Sequence, residues 1–130
     1  MPDGGYYAKV PRSESIEAVR RALYRHSAVS DYKEITPQLY EISRIGRSAV
    51  KLYVTNVYTV GMADVQEILE ENPSVTCILT VSAWNSYTGR AKEYAKSINV
   101  GLFRFYEWLG ALNYDGDKLL DYIAPSERDD

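Results

Sequence analysis

The sequence predicts an α/β fold, one mixed sheet flanked by helices in the order α-β-β-α-β-α-β, and three observations point there. The stretch "SAVKLYVTNVYTV" (48–60) is dense in Val, Thr and Tyr, and its first half alternates apolar with polar residues as a half-buried strand does. "VTCILTV" (75–81) is β-branched and apolar on both faces, the texture of a central strand covered on each side. Segments of helical periodicity separate the strands, and strands joined through helices become parallel neighbours in a sheet packed by those helices.

The elements follow in order. Residues 1–12, with Pro2, Gly4, Gly5 and Pro11, read as a flexible N-terminal arm. "SESIEAVRRALYRHS" reads as a helix that Ser13 can cap, with Glu14 and Glu17 in its first turns and Ile16, Val19 and Leu23 on one face. Arg20, Arg21 and Arg25 fall toward its C-terminal half, where the helix dipole favours cations. Asp31 and Glu34 precede Pro37 in an expected loop. "PQLYEISRI" and the strand after it flank Gly46 and read as an antiparallel hairpin, with Val50, Leu52 and Val54 on one face and Lys51, Tyr53 and Thr55 on the other. "MADVQEILEENP" is a helix with Met62, Val65, Ile68 and Leu69 inward, ended by Pro73. "GRAKEYAKSI" follows a polar loop as a helix capped by Thr88, with Ala91, Tyr94, Ala95 and Ile98 on one face. "VGLFRF" is a further strand and "YEWLGAL" a short helix. "DGDKLLDYI" adds a last helical turn or two, capped by Asp115 or Asp117. A single α/β domain thus spans 13–124, before an acidic tail at 125–130.

Composition narrows the functions. The 130 residues suffice for one core without disulfides or metal. A net charge of −3 gives no general affinity for phosphates, so nucleic-acid binding would need a local patch. Cys77 lies inside an apolar run, and one thiol with one histidine, His26, does not make a structural zinc site. No secretory leader or membrane-length apolar run is read, which gives the expectation of a cytoplasmic, reduced protein with no membrane contact. Twelve tyrosines against two phenylalanines suit half-buried surfaces and interfaces. Phe103, Phe105, Tyr106, Trp108 and Tyr114, crowded near the C-terminus, are the expected interface of a homo-oligomer.

The loop "SAWNSYT" (82–88) leaves the carboxyl end of a central strand, where α/β sheets commonly hold ligands. Arg90 stands in the first turn of the next helix, against the dipole, so capping does not explain it. Trp84 offers either a stacking platform or a lid over the sheet edge. The candidate ligand-binding residues are Trp84, Asn85, Tyr87 and Arg90 on this rim, with Arg44, Arg47 and Lys51 on the hairpin.

The run "VTCILTVSAWNSYTGRAKEYAKSINVGLFRFYEWLGAL" resembles the C-terminal half of restriction-endonuclease-like domains of the Mrr type. The matching positions are Thr80, Ser82, Tyr87, Thr88, Ala91, Ala95, Leu102, Leu109 and Leu112. "NVYTVGMADVQEI" is similar to that family's connection out of its metal-binding strand, and "SIEAVRRALYRH" to its first helix. The resemblance implies a nuclease-like scaffold, on which family enzymes hold magnesium with an Asp on one strand and Glu-x-Lys on the next. Here Val54, Thr55 and Asn56 stand where Glu-x-Lys would fall, and Glu41 is the only acid on the preceding strand. Hard cations require converging carboxylates, so the expectation is a non-catalytic recognition module with no cofactor, binding nucleic acid or a protein partner. The alternatives are a magnesium-dependent nuclease with a migrated site on Glu41 and Glu17, or a homodimeric assembly protein.

Overall fold

The structure, a computed structural model, describes residues 10–125. Helix α1 (Ser13–Arg25) leads into strands β1 (Val29–Thr36), β2 (Leu39–Arg44) and β3 (Arg47–Thr55), an antiparallel meander. A short β4 (Thr59–Val60) precedes helix α2 (Met62–Glu71), strand β5 (Cys77–Thr80), a short β6 (Ser86–Tyr87) and helix α3 (Gly89–Ser97). Strand β7 (Gly101–Arg104) and helices α4 (Phe105–Ala111) and α5 (Gly116–Leu120) complete the chain. The main sheet has the order β1-β2-β3-β5-β7, with β3, β5 and β7 parallel, while β4 and β6 form a separate parallel pair.

The expected mixed sheet flanked by helices is present, with one strand more than the sequence suggested. Asp31 and Glu34 lie on β1, not in a loop. This strand is the sheet's outer edge, and its burial follows no clean alternation, since α1 covers it only in part. Charged residues are expected on such an edge, where they discourage pairing with other chains. The same charges hid the strand in the sequence. The first helix also differs in detail. Arg12 occupies its N-cap without a side-chain bond, and Ser13 Oγ donates instead to Glu14 at 3.2 Å. Met62 and Ile98, expected inward, are exposed. Residues 1–9 of the expected arm and 126–130 of the expected tail fall outside the described residues.

Two cores sandwich the sheet. On one side Ile16, Val19 and Leu23 of α1 and Trp108, Ala111, Leu112 and Leu119 of the C-terminal helices meet Tyr40, Ile42, Leu52, Val54, Leu79 and Phe103. On the other, Val65 and Ile68 of α2 and Ala91 and Ala95 of α3 pack on Ile78 and Leu102. Strand β5 is wholly buried, as its sequence demanded. Gly46, at φ 68°, makes the β2–β3 turn that the hairpin pattern required.

The topology also places a crevice. Strands β5 and β7 are parallel neighbours, yet β5 sends its next helix, α3, to one face of the sheet and β7 sends α4 to the other. Divergent connections leave a cleft between the carboxyl ends of such a pair. Here it is lined by Ser82, Ala83, Arg104, Phe105, Tyr106 and Glu107.

Candidate functional site: the carboxyl-end rim

The loop after β5 is shaped by its polar residues. Asn85 Nδ2 donates to Asn56 Oδ1 at 2.9 Å and to Thr80 Oγ1 at 3.0 Å, and Ser82 Oγ donates to the same Asn56 oxygen. Thr80 Oγ1 in turn donates to the carbonyl of Val57 at 2.7 Å. This latch joins the ends of β3 and β5, and Asn85 is buried within it. The Asn85 amide N–H closes a tight turn on the Ser82 carbonyl at 2.9 Å, so Ala83 and Trp84 are left at its outer corner. Trp84 is 64% exposed for that reason.

Next along the rim, Thr88 caps α3 as expected, its Oγ1 accepting from Ala91 N at 3.0 Å. Tyr87 turns inward, its hydroxyl donating to both carboxylate oxygens of buried Glu107 at 2.9 Å each. Glu107 also accepts from Arg104 N at 2.9 Å, which caps α4. Burial, and then the Glu107 charge, push the Tyr87 hydroxyl above its ordinary pKa. Beside this pair Lys92 donates to the Leu102 carbonyl at 2.6 Å, with its Nζ 4.1 Å from the Phe103 ring centroid and 5.3 Å from that of Tyr87. Burial lowers Lys92 to about 8. Such a shift is frequent at catalytic lysines, but this amine points inward to a carbonyl and two ring faces, an arrangement that occupies the edge of β7.

Outside the latch lies a groove of about 320 Å³ between the N-terminal turns of α1 and the rim. Arg12, Glu14 and Ser15 form one wall, and Val81, Ser82, Trp84, Phe105 and Tyr106 the other. Tyr106 is 75% exposed there. Tyr58, in the segment after β3, is also exposed, and its carbonyl accepts from Ser86 N at 2.8 Å, beside the Trp84 turn. Sequence reasoning passed over Tyr58 and Arg12. The available signal was an aromatic residue within four positions of the end of each parallel strand.

The structure divides the candidate ligand-binding residues. Trp84 and Arg90 are exposed on the rim, while Asn85 and Tyr87 are consumed in internal hydrogen bonds. Arg44 is sequestered: it is buried and donates to the carbonyls of Ser48, Leu112 and Tyr114 and to Asp115. Arg47 donates to Ile45 O and sits where β3 begins, roughly 26 Å from the rim at a strand's rise per residue. Lys51 pairs with Glu41 at 4.0 Å. The hairpin and rim candidates therefore form no single surface.

The acids fare similarly. Glu41 stands in register between Lys33 and Lys51, on the sheet face opposite Tyr40 and Ile42. Glu17 lies on α1, which covers the Tyr40 side, and pairs with Arg20 at 3.3 Å. The sheet separates the two carboxylates, so they do not share a site. Among the described residues no group of three or more His, Cys, Asp or Glu side chains is placed to hold a metal. Cys77 is buried and its thiol is pushed up to about 12 by desolvation. His26 ties α1 to α4, its Nε2 2.7 Å from Leu109 O while Nδ1 accepts from Ala28 N.

Of the expected interface residues, Phe103 and Trp108 are fully buried core and Phe105 is partly buried against it. Tyr106 is on the rim, whereas Tyr114 stacks on Tyr122 beside Asp115, at the other end of the sheet. These five make no continuous patch. No helix among the described residues is long and apolar enough to cross a membrane. The chain matches no protein-family model, no curated protein and no solved structure.

Proposed function

We propose that this protein is a non-catalytic recognition module whose contact face is the carboxyl-end rim of its sheet, on a scaffold of restriction-endonuclease-like type. Support for the scaffold is the sequence resemblance, together with a leading helix, an antiparallel meander and parallel βαβ crossovers in one mixed sheet. The observation that carries the recognition reading is a contrast within the rim. Its polar side chains Asn56, Ser82, Asn85, Tyr87 and Glu107 bond to one another and hold the loops, while its large aromatics Trp84 and Tyr106 stand in solvent on one groove. A catalytic site needs polar groups presented to the substrate. A recognition site needs rigid apolar anchors on a fixed frame, and aromatics supply them at small entropic cost.

The test uses the fluorescence of Trp84, since Trp108 is fully buried and serves as a constant background. Single-stranded and duplex oligonucleotides and a displayed random-peptide library are the probes. Binding that moves the Trp84 signal in the native protein, and that the anisotropy of the labelled probe shows to disappear in a Trp84→Ala, Tyr106→Ala double variant, supports the reading. If every bound probe is indifferent to that double change, the rim is not the contact face.

A further inference from the structure

We infer that the occupant of this rim is a single-stranded nucleic acid, its bases stacked on Tyr58, Trp84 and Tyr106 and its phosphates beside Arg12 and Arg90; this rests on the rim's being the recognition face.

The aromatics come first. Each of the three parallel strands is followed within four residues by an exposed ring: Tyr58 after β3, Trp84 after β5 and Tyr106 after β7. Neighbouring strands are about 4.8 Å apart, so the ring-bearing segments lie side by side across the rim. The Ser86–Tyr58 backbone bond sets the first against the second, and the shared groove sets the second against the third. None of the rings is needed to fill a core. A row of exposed ring faces on successive strand ends is a stacking surface, and base stacking tolerates any sequence because every base has a π-face.

The cations come second. Arg12, the N-cap of α1, lines the groove with Trp84 and Tyr106, and Arg90, the second residue of α3, is exposed at the carboxyl end of the sheet on its other face. A cation in either place opposes the helix dipole, so helix stability does not account for it. An anion passing along the rim does. Glu14, the carboxylate in the groove wall, accepts from Ser13 Oγ and also feels the Arg12 charge, the smallest of the influences acting on its pKa. A peptide would also use the rings, but only an acidic one would meet both arginines as well. A duplex keeps its bases stacked on one another and would need a broad basic surface, which a chain of net charge −3 with its remaining hairpin cations at the other end does not offer.

The experiment follows the anisotropy of a dye-labelled short oligothymidylate titrated with the whole chain, beside a labelled hairpin duplex, across a salt series, with Trp84 emission read in the native protein. We expect the single strand to quench Trp84 and to bind more tightly than the duplex. Trp84→Leu and Tyr106→Leu should each weaken binding about tenfold, while Trp84→Phe retains most of it. Arg12→Gln and Arg90→Gln should each lower the slope of log affinity against log salt by about 0.7, and Arg25→Gln, on the last turn of α1, should leave it unchanged. Circular dichroism checks that each variant is folded. The inference is overturned if the oligothymidylate fails to bind at low salt, if leucine and phenylalanine at position 84 are equivalent, or if duplex is preferred. Peptide capture at the same rings without oligonucleotide binding would overturn it and leave the recognition reading standing; no probe at the rings would remove both.

Discussion

Folding carries the Lys92 ammonium out of water and sets it against the rings of Tyr87 and Phe103 and the carbonyl of Leu102. Cation–π attraction and one hydrogen bond offset only part of the lost hydration, so desolvation dominates and the amine falls from 10.5 to about 8, against the partial support of the Glu107 charge. The folded form therefore binds its proton less readily than the unfolded chain. Between pH 8 and 10.5 the unfolded state holds more protons, and stability should rise with pH there by up to about 1.4 kcal/mol per pH unit. Lys92→Met keeps the stem and removes the charge. Its urea-unfolding free energy should compare best with the native protein below pH 8 and lose that advantage as pH approaches 10.5; parallel profiles for the two proteins would show that Lys92 does not titrate in this way. Nothing in the sequence marked this residue. Lys92 lies next to Ala91 on a helix whose expected inward face holds at Ala91 and Ala95 but not at Ile98, and only the closeness of β7 turns the Lys92 side chain inward. Arg90, two positions earlier, was legible because a cation at a helix start breaks a rule that needs no tertiary context.

At the scale of elements, legibility followed coverage. Strand β5 has sheet neighbours on both sides and helices on both faces, so its sequence had to be apolar throughout, and it read at once as central. Strand β1 has one neighbour and partial cover, so its side chains answer to solvent, to Arg20 and to edge protection, and its pattern carried no period. The pair β4–β6 is two residues long on each side and exists because the Asn56 latch brings those segments together, a cause remote in sequence. Strand β7 makes its own demand. A Cβ at residue 101 would stand 2.5 Å from Phe103 Cε2 and 3.2 Å from Leu119 Cδ2, and the fully buried Phe103 has no room to retreat. Gly101→Ala should therefore destabilise the protein by roughly 1–3 kcal/mol through overpacking, seen as a lower denaturation midpoint. A neutral or stabilising result, the usual gain from a less flexible unfolded chain, would mean that β7 and α5 shift apart easily.

For the whole molecule, the question is what ties the meander to the C-terminal helices, since these lie at opposite ends of the chain and meet across one core. The two core faces were foreseeable from periodicity, but the fastening was not: Arg44 looked like a surface cation on a hairpin strand. Its guanidinium instead spans Ser48 O at 2.8 Å, Leu112 O at 2.9 Å, Tyr114 O at 2.6 Å and Asp115 Oδ1 at 3.0 Å, clasping the turn after α4 to the start of β3. Arg20, by contrast, joins α1 to β1 through a bidentate pair with Glu34 that remains open to solvent. Removing Arg20 should cost little, as the loss of an exposed pair does. Arg44→Met takes the donor from three carbonyls, that of Leu112 buried, while Asp115 keeps its bonds from Ser48, and should cost about 1–3 kcal/mol. The same clasp gives the protein an acid limit. Hydrogen bonds from the Ser48 side chain and amide, and then the Arg44 charge, hold Asp115 at about 2, below its ordinary 3.8. A carboxylate depressed on folding stabilises above its unfolded pKa, and that contribution is lost as pH falls from 3.8 toward 2. Asp115→Asn should thus be less stable than the native protein at neutral pH and approach it near pH 2, with a shallower acid-unfolding profile. If the two profiles keep a constant separation down to pH 2, Asp115 is not the group through which acid opens the clasp, and Glu34, also held low by Arg20, becomes the next to replace.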